Sequence, residues 1–270
     1  FFQQVKKLNL KTARLCAFGS TRRKDMQCIE DTNLQSLLAA ETEDVVFFGK
    51  SWDFQVTDII RTSLEENLEM IFDTAAFLKK NGRNVIYDAE HFFTAFAKNK
   101  EYAMKTLHAA VDGGASVLSL CETKGGCVLD ECAVATREVV KAFGDKVIVG
   151  IHTHNDSGLA VANTLTSVDA GARHVQGCLL GIGERTGNAN LSTIIPNLQL
   201  KMGYDCVPQE KLAELTSIVK RVAEIANIHL DSGMPYVGTN AFAHKAGMHI
   251  DAVLKNPFAY EHIEPETVGN

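Results

Sequence analysis

The chain has 270 residues, 46% of them hydrophobic, and a net charge of −6 from 27 basic and 33 acidic side chains. That is enough chain to bury a full core, so disorder is not the default, and no broad basic surface of the kind that nucleic acid requires can be inferred. No apolar run approaches the ~20 residues that span a bilayer and no secretory leader opens the chain, so no membrane partner is expected.

The chain opens with "FFQQVKKLNL", without Met, and Phe1, Phe2, Val5 and Leu8 recur at roughly helical spacing. This reads as the inside of a structural element and predicts further chain upstream. Short β-branched apolar runs follow: "ARLCAFG" (13–19), "VVFFG" (45–49), "NVIYDAE" (84–90), "SVLSLC" (116–121), "KVIVGIH" (146–152) and "HVQGCLLGI" (174–182). Between them lie amphipathic segments. In 57–82, Ile59, Ile60, Leu64, Leu68, Ile71, Ala75 and Leu78 keep one face apolar, and Gly82 is a plausible stop. The cluster Arg22, Arg23 and Lys24 reads as a solvated loop or, more sharply, as a site for a phosphate or carboxylate. The seven cysteines are odd in number and form no C-x-x-C pair. They predict reduced, mostly buried thiols in a cytoplasmic protein.

Strands that are continuously apolar and alternate with helices predict parallel βαβ units covered on both faces. An open doubly wound sheet and a (β/α)8 barrel both fit. The Gly-rich phosphate loop of the first is missing, whereas chemically capable residues end every strand: "GSTRRK", "GKSWD", "DAEHFF", "CETKGG", "HTHND" and "GIGERTGNAN". That distribution is the mark of a barrel. The expected fold is therefore α/β, a (β/α)8 TIM barrel missing its first two strands before Phe1, followed by a helical C-terminal extension. Residues 1–203 are read as the partial barrel and 204–270 as a helical linker subdomain. Past residue 190, "LSTIIPNLQLKMG", "QEKLAELTSIVKRVAEIAN" and "TNAFAHKAGMHIDAVLKN" predict three helices.

His152 and His154 stand two apart at a strand end, where residues i and i+2 share a face, so both imidazoles can grip one ion. Two surface histidines are the bland alternative; the neighbouring oxygens of Asn155 and Asp156 favour the metal. Nitrogen and oxygen ligands without thiolate suit Zn²⁺, Mn²⁺ or Mg²⁺. In "GIGERTGNANL", Asn188 is a possible carbonyl ligand, and Glu184 and Arg185 can brace the site, against an ordinary Gly/Asn turn with an ion pair. Asp88 and Glu90 share one strand face and Ala89 and His91 the other. Glu90 is the candidate acid or base, or else a carboxylate paired with a nearby Arg or Lys. Thr123 offers a hydroxyl, and Gly125 and Gly126 offer backbone amides, to a substrate carboxylate, against a simple turn. Cys121 reads as a core thiol. Trp52 is a pocket candidate or core. His244, His249, Tyr260 and His262 gather histidine and phenol chemistry in the tail.

Together "HTHND", "GIGERTGNANL", "AGMHIDAVLKNP" and "YEHIEPETVGN" resemble the acetyl-CoA-dependent Claisen condensation enzymes that form 2-isopropylmalate, homocitrate and citramalate on a metal-dependent barrel of the HMG-CoA-lyase type. "AFGSTRRK", "FGKSWDFQVT", "DAEHFF" and "NLQLKMGYDC" are most similar to the citramalate branch, and the resemblance runs over essentially the whole chain. It implies condensation of acetyl-CoA with pyruvate to (R)-citramalate and CoA, feeding isoleucine biosynthesis, in a homodimer. It implies His152 and His154 as ligands of a divalent metal ion with Asn188 as a further or near ligand. Thr123 would hold the keto-acid carboxylate, Glu184 and Arg185 would support substrate binding, and Glu90 would lie beside the reacting carbonyl. His249 and Tyr260 match tail residues that reach a neighbouring subunit's active site. The resemblance also implies an Asp ligand and a catalytic Arg in a D-T-T-L-R-D-G motif, which this sequence does not contain, and a regulatory domain beyond the tail. Glu122 stands where an Asp is expected. The alternatives are a sister synthase using another 2-oxo acid, and a metal-dependent hydroxyacyl-CoA lyase or aldolase. A third is that these 270 residues alone are inactive.

Overall fold

The computed structural model describes residues 1–128 and 130–270. Two compact units divide between Gln176 and Gly177. The first unit holds six parallel strands: β1 (Cys16–Ser20), β2 (Asp44–Lys50), β3 (Asn84–Glu90), β4 (Val117–Glu122), β5 (Ile148–Thr153) and β6 (His174–Gln176). Their order in the sheet is their order in the chain. A doubly wound sheet reverses that order at a switch point, whereas a barrel keeps it, so the strand order decides for six strands of (β/α)8 architecture.

The helices of this unit are α1 (Phe2–Lys6), α2 (Thr32–Ala39), α3 (Leu64–Lys80), α4 (Phe92–Lys98), α5 (Lys100–Asp112), α6 (Glu131–Phe143) and α7 (Ala160–Asp169). One face of the strands, with Val45, Phe47, Tyr87, Leu118, Leu120 and Ile151, packs into the same core as Ile71, Ala75 and Leu78 of α3 and Leu107 of α5. Each such large apolar side chain stabilises the fold by roughly 1.5–3 kcal/mol when fully buried. The alternate positions carry the polar groups, among them Lys50, Asp88, Glu90, His152 and Gln176. Strand pairing therefore aligns the chemistry: Lys50 lies opposite Glu90, Cys121 opposite His152, and His152 opposite Gln176.

Several expectations are corrected. The amphipathic segment 57–82 is helical only over Leu64–Lys80. Arg61 breaks it at a left-handed φ of +55°, and the Ser63 side chain caps the new start by accepting from the Glu66 amide at 3.0 Å. Ile59 falls in a separate π turn and is 55% exposed. The last strand stops at Gln176 rather than 182, because the chain turns to pair Cys178 with Asn190. Arg22 is not solvated. It is 6% exposed, with Nη1 on Glu66 at 2.7 Å and Nε on Asp73 at 2.8 Å. Only Cys121 and Cys132 of the seven thiols are buried.

The second unit contains α8 (Leu191–Pro196), α9 (Gln209–Leu212), α10 (Leu215–Ala226) and α11 (Gly247–Lys255). Each of the three expected tail helices is shorter or broken: a π turn at Asn197–Lys201 follows Pro196, and residues 239–246 are not helical. A small core of Leu212, Leu215, Val219, Tyr236, Val237, Ile263 and Val268 holds the unit together. No helix among the described residues is long and apolar enough to cross a membrane.

Candidate functional site

His152 and His154 both project from the C-terminal end of β5, and their Nε2 atoms are 3.3 Å apart. Two imidazole nitrogens on one tetrahedral ion, each ~2.0–2.1 Å from it, lie roughly 3.3–3.4 Å apart. The pair thus fits a shared cation without rearrangement. Nδ1 of His152 is 2.9 Å from the Oε1 of Gln176 on β6. The same amide donates from Nε2 to the Oδ1 of Asp88 on β3, at 2.8 Å. Among the described residues, no third His, Cys, Asp or Glu joins the pair in a metal-binding group. The Asn155 side chain accepts from the Ala160 amide at the start of α7, and Asp156 lies against Gly125.

Asp88 is 4% exposed, and burial raises its carboxyl to about 6, against the opposing pull of the Gln176 hydrogen bond and the His152 charge. Two residues on, Glu90 is half-buried and paired with the Nζ of Lys50 at 2.5 Å. The strand ends there, since His91 takes a left-handed φ of +60°. That turn brings the His91 Nε2 within 3.9 Å of Glu90 rather than sending it to the opposite face. The His91 amide donates to the Thr123 hydroxyl at 2.8 Å, which ties the end of β3 to the turn after β4. Trp52 packs against the core, with the Lys124 ammonium 4.3 Å from its ring centroid and the His91 ring 5.8 Å away.

In the "CETKGG" turn Glu122 is buried, and burial raises its carboxyl above its ordinary range. Gly125 has a φ of +65°, and a Cβ there would sit 2.3 Å from Asp156 Oδ2, so only glycine lets the two loops meet. Cys121 is buried and its thiol pushed well above the usual value by burial, as suits a core thiol and not a nucleophile.

In the second unit, Asn188 donates its amide hydrogens to the Ile182 carbonyl at 3.1 Å and the Cys178 sulfur at 3.4 Å. Its Oδ1 is buried and has no hydrogen-bond partner. A buried carbonyl oxygen left unpaired costs ~1–3 kcal/mol, and a cation would satisfy it. Glu184 and Arg185 are exposed on the same loop, Arg185 at a φ of +56°. His249 and Tyr260 come together, their rings stacked with centroids 4.0 Å apart. His244 lies 6.0 Å from Tyr260, ring to ring, and its Nε2 is 3.4 Å from the Glu261 carboxylate. His262 is placed apart, against Tyr236 and Phe242.

No sequence motif marks Lys50 or Gln176 as a site residue. Gln176 carries a usable signal, being two residues after His174 in a strand and therefore on the same face.

A family model described as "HMGL-like" matches residues 2–222, and one described as "Homocitrate synthase post-HMGL domain-like" matches 236–270. The chain is 56% identical over 270 residues to an (R)-citramalate synthase of Aquifex aeolicus, covering 100% of this chain and 51% of the relative. It is 49% identical over 271 residues to that of Sulfolobus acidocaldarius, again covering 100% and 51%. The chain thus spans about half the length of the curated relatives it matches. Among solved structures, the HMG-CoA lyase of Bacillus subtilis superposes with a TM-score of 0.66 at 19% identity, covering 85% of this chain and 76% of that one.

Proposed function

The chain belongs to the HMGL-like family, and from that premise we propose that it is the catalytic part of an acyltransferase that condenses acetyl-CoA with pyruvate to give (R)-citramalate and CoA. The observation that carries the reading is the facing Nε2 pair of His152 and His154 at a strand's C-terminal end, 3.3 Å apart. The choice of pyruvate is supported by the names of relatives 56% and 49% identical to this chain over their aligned lengths. Residues 1–203 would form the barrel part and 204–270 a helical linker. The place of such an enzyme is the cytoplasm, in isoleucine biosynthesis.

His152 and His154 are the residues of the first unit that would hold a divalent ion, zinc, manganese or magnesium, and Asn188 is the further ligand that the family resemblance implies. When bound, such an ion supplies Lewis acidity to the carbonyl of a 2-oxo acid and favours the charge that develops there. The protein residues supply the rest. Thr123, whose hydroxyl oxygen already accepts from His91, holds the keto-acid carboxylate. Glu90, which pairs with Lys50, would act as acid or base beside the reacting carbonyl, in a reaction whose acetyl methyl is a poor acid that needs a pre-positioned base. Glu184 and Arg185 support substrate binding, and the stacked His249 and Tyr260 serve as acid–base groups. Met248, Leu254 and Phe258 are 78%, 82% and 61% exposed, an apolar surface that a second copy in a homodimer would cover.

The test is thiol release from acetyl-CoA by the complete enzyme with a panel of 2-oxo acids. Pyruvate should be turned over far faster than 2-oxoisovalerate or 2-oxoglutarate. A reversed preference would make the chain a sister synthase, and absence of release with any 2-oxo acid would refute the condensation.

A further inference from the structure

We infer that Gln176 and Asp88 are positioning residues for the metal site, a hydrogen-bonded chain that fixes which nitrogen of His152 carries its proton. The inference rests on the reading of His152 and His154 as metal ligands. An ionised carboxylate only accepts hydrogen bonds. Asp88 Oδ1, 2.8 Å from the Gln176 side chain, therefore demands that the amide turn its nitrogen toward β3. The second amide hydrogen is directed at His174 Nε2, 3.4 Å away. With both hydrogens placed, the amide oxygen faces Nδ1 of His152 at 2.9 Å, and an oxygen there accepts only from a protonated Nδ1. The proton is thus held on Nδ1 and the lone pair of the neutral ring on Nε2, the atom that faces His154. Three strands contribute one residue each, and strand register holds them in line, since Gln176 pairs with His152 across β5 and β6.

The carboxylate is the far anchor. Asp88 is 4% exposed, where a charged group is expensive. A glutamine alone can flip, because its oxygen and nitrogen are nearly isosteric. Gln176 cannot flip without setting its oxygen against the Asp88 carboxylate. The carboxylate reaches the ligand histidine through an intervening amide, so it orients the imidazole without placing a negative charge beside the ion.

Two measurements test this. In the metal-free complete enzyme, the ¹⁵N shifts of the His152 ring should report a protonated Nδ1 and a bare Nε2; the opposite tautomer would overturn the inference without any variant. Affinity for Co²⁺ alone, measured by competition with a chromophoric chelator, should fall about 10–100-fold in Gln176→Leu, the usual cost of losing an orienting partner. The double variant Asp88→Asn/Gln176→Glu moves the carboxylate to position 176. It keeps the His152 Nδ1–H donating to residue 176 and reverses the bond between 176 and 88, which the new amide at 88 donates. It should recover affinity to within about tenfold of the parent. Unchanged affinity in Gln176→Leu would overturn the inference while leaving the metal reading intact. If His152→Ala binds Co²⁺ as tightly as the parent, the metal reading itself falls, and the positioning role falls with it.

Discussion

Asp88→Asn is expected to stabilise the protein at neutral pH and to do nothing near pH 4. Asp88 is 4% exposed, and burial lifts its carboxyl from 3.8 to about 6 despite the hydrogen bond from Gln176. A folded value above the unfolded one means that the folded chain holds a proton which the unfolded chain has already released. Stability therefore falls as pH rises from roughly 4 to 6, and the penalty is complete above that window. At ~1.4 kcal/mol per pKa unit, the penalty is about 3 kcal/mol. Asparagine keeps the shape and an oxygen for Gln176 but cannot ionise. The assay is urea unfolding of chelator-treated protein at several pH values, followed by fluorescence of Trp52, the one tryptophan in the chain. The difference between variant and parent should grow from near zero at pH 4 to about 3 kcal/mol at pH 7. A difference that stays flat with pH, or a parent more stable than the variant at pH 7, would refute the reasoning. The residue that anchors the metal-site chain is thus one the fold holds at a cost.

Gly187→Ala should destabilise the second unit by about 1–3 kcal/mol or more, because its φ is +101° and a Cβ would lie 2.0 Å from the Gly181 carbonyl oxygen; thermal melting unchanged from the parent would contradict this. Arg22→Met should cost about 2 kcal/mol, below the range for a fully buried pair since the Asp73 side chain is 45% exposed; chemical denaturation reads it. Lys50→Met should lower kcat of the complete enzyme about tenfold or more by releasing Glu90 from its 2.5 Å partner, and an unaltered kcat would remove Glu90 and Lys50 from the chemistry.

The strands were legible because their runs are short, β-branched and bounded by polar ends, and the structure places all six where those runs lie. Beyond the final strand, "GCLLGI" looks apolar enough to continue it but folds back so that Cys178 meets Asn190. The amphipathic pattern across 57–82 hid a break at Arg61, because apolar periodicity persists through a π turn and does not report backbone sign. The facing of His152 and His154 followed from the strand period alone. The partners that set them did not: Gln176 lies 24 residues from His152, and Lys50 lies 40 from Glu90. Those pairs meet only through β register, which a single sequence does not announce. The left-handed turn at His91, which keeps that ring beside Glu90, was hidden for the same reason that any non-glycine φ of +60° is: nothing in the residue type requires it.

The most direct measurement is pyruvate-dependent thiol release by the complete enzyme after chelator treatment and divalent-metal add-back, compared between the parent and His152→Ala. The account predicts that activity returns with metal in the parent and that the variant, which binds little metal by elemental analysis, stays inactive. Full activity in His152→Ala, or parental metal content in that variant, would contradict it.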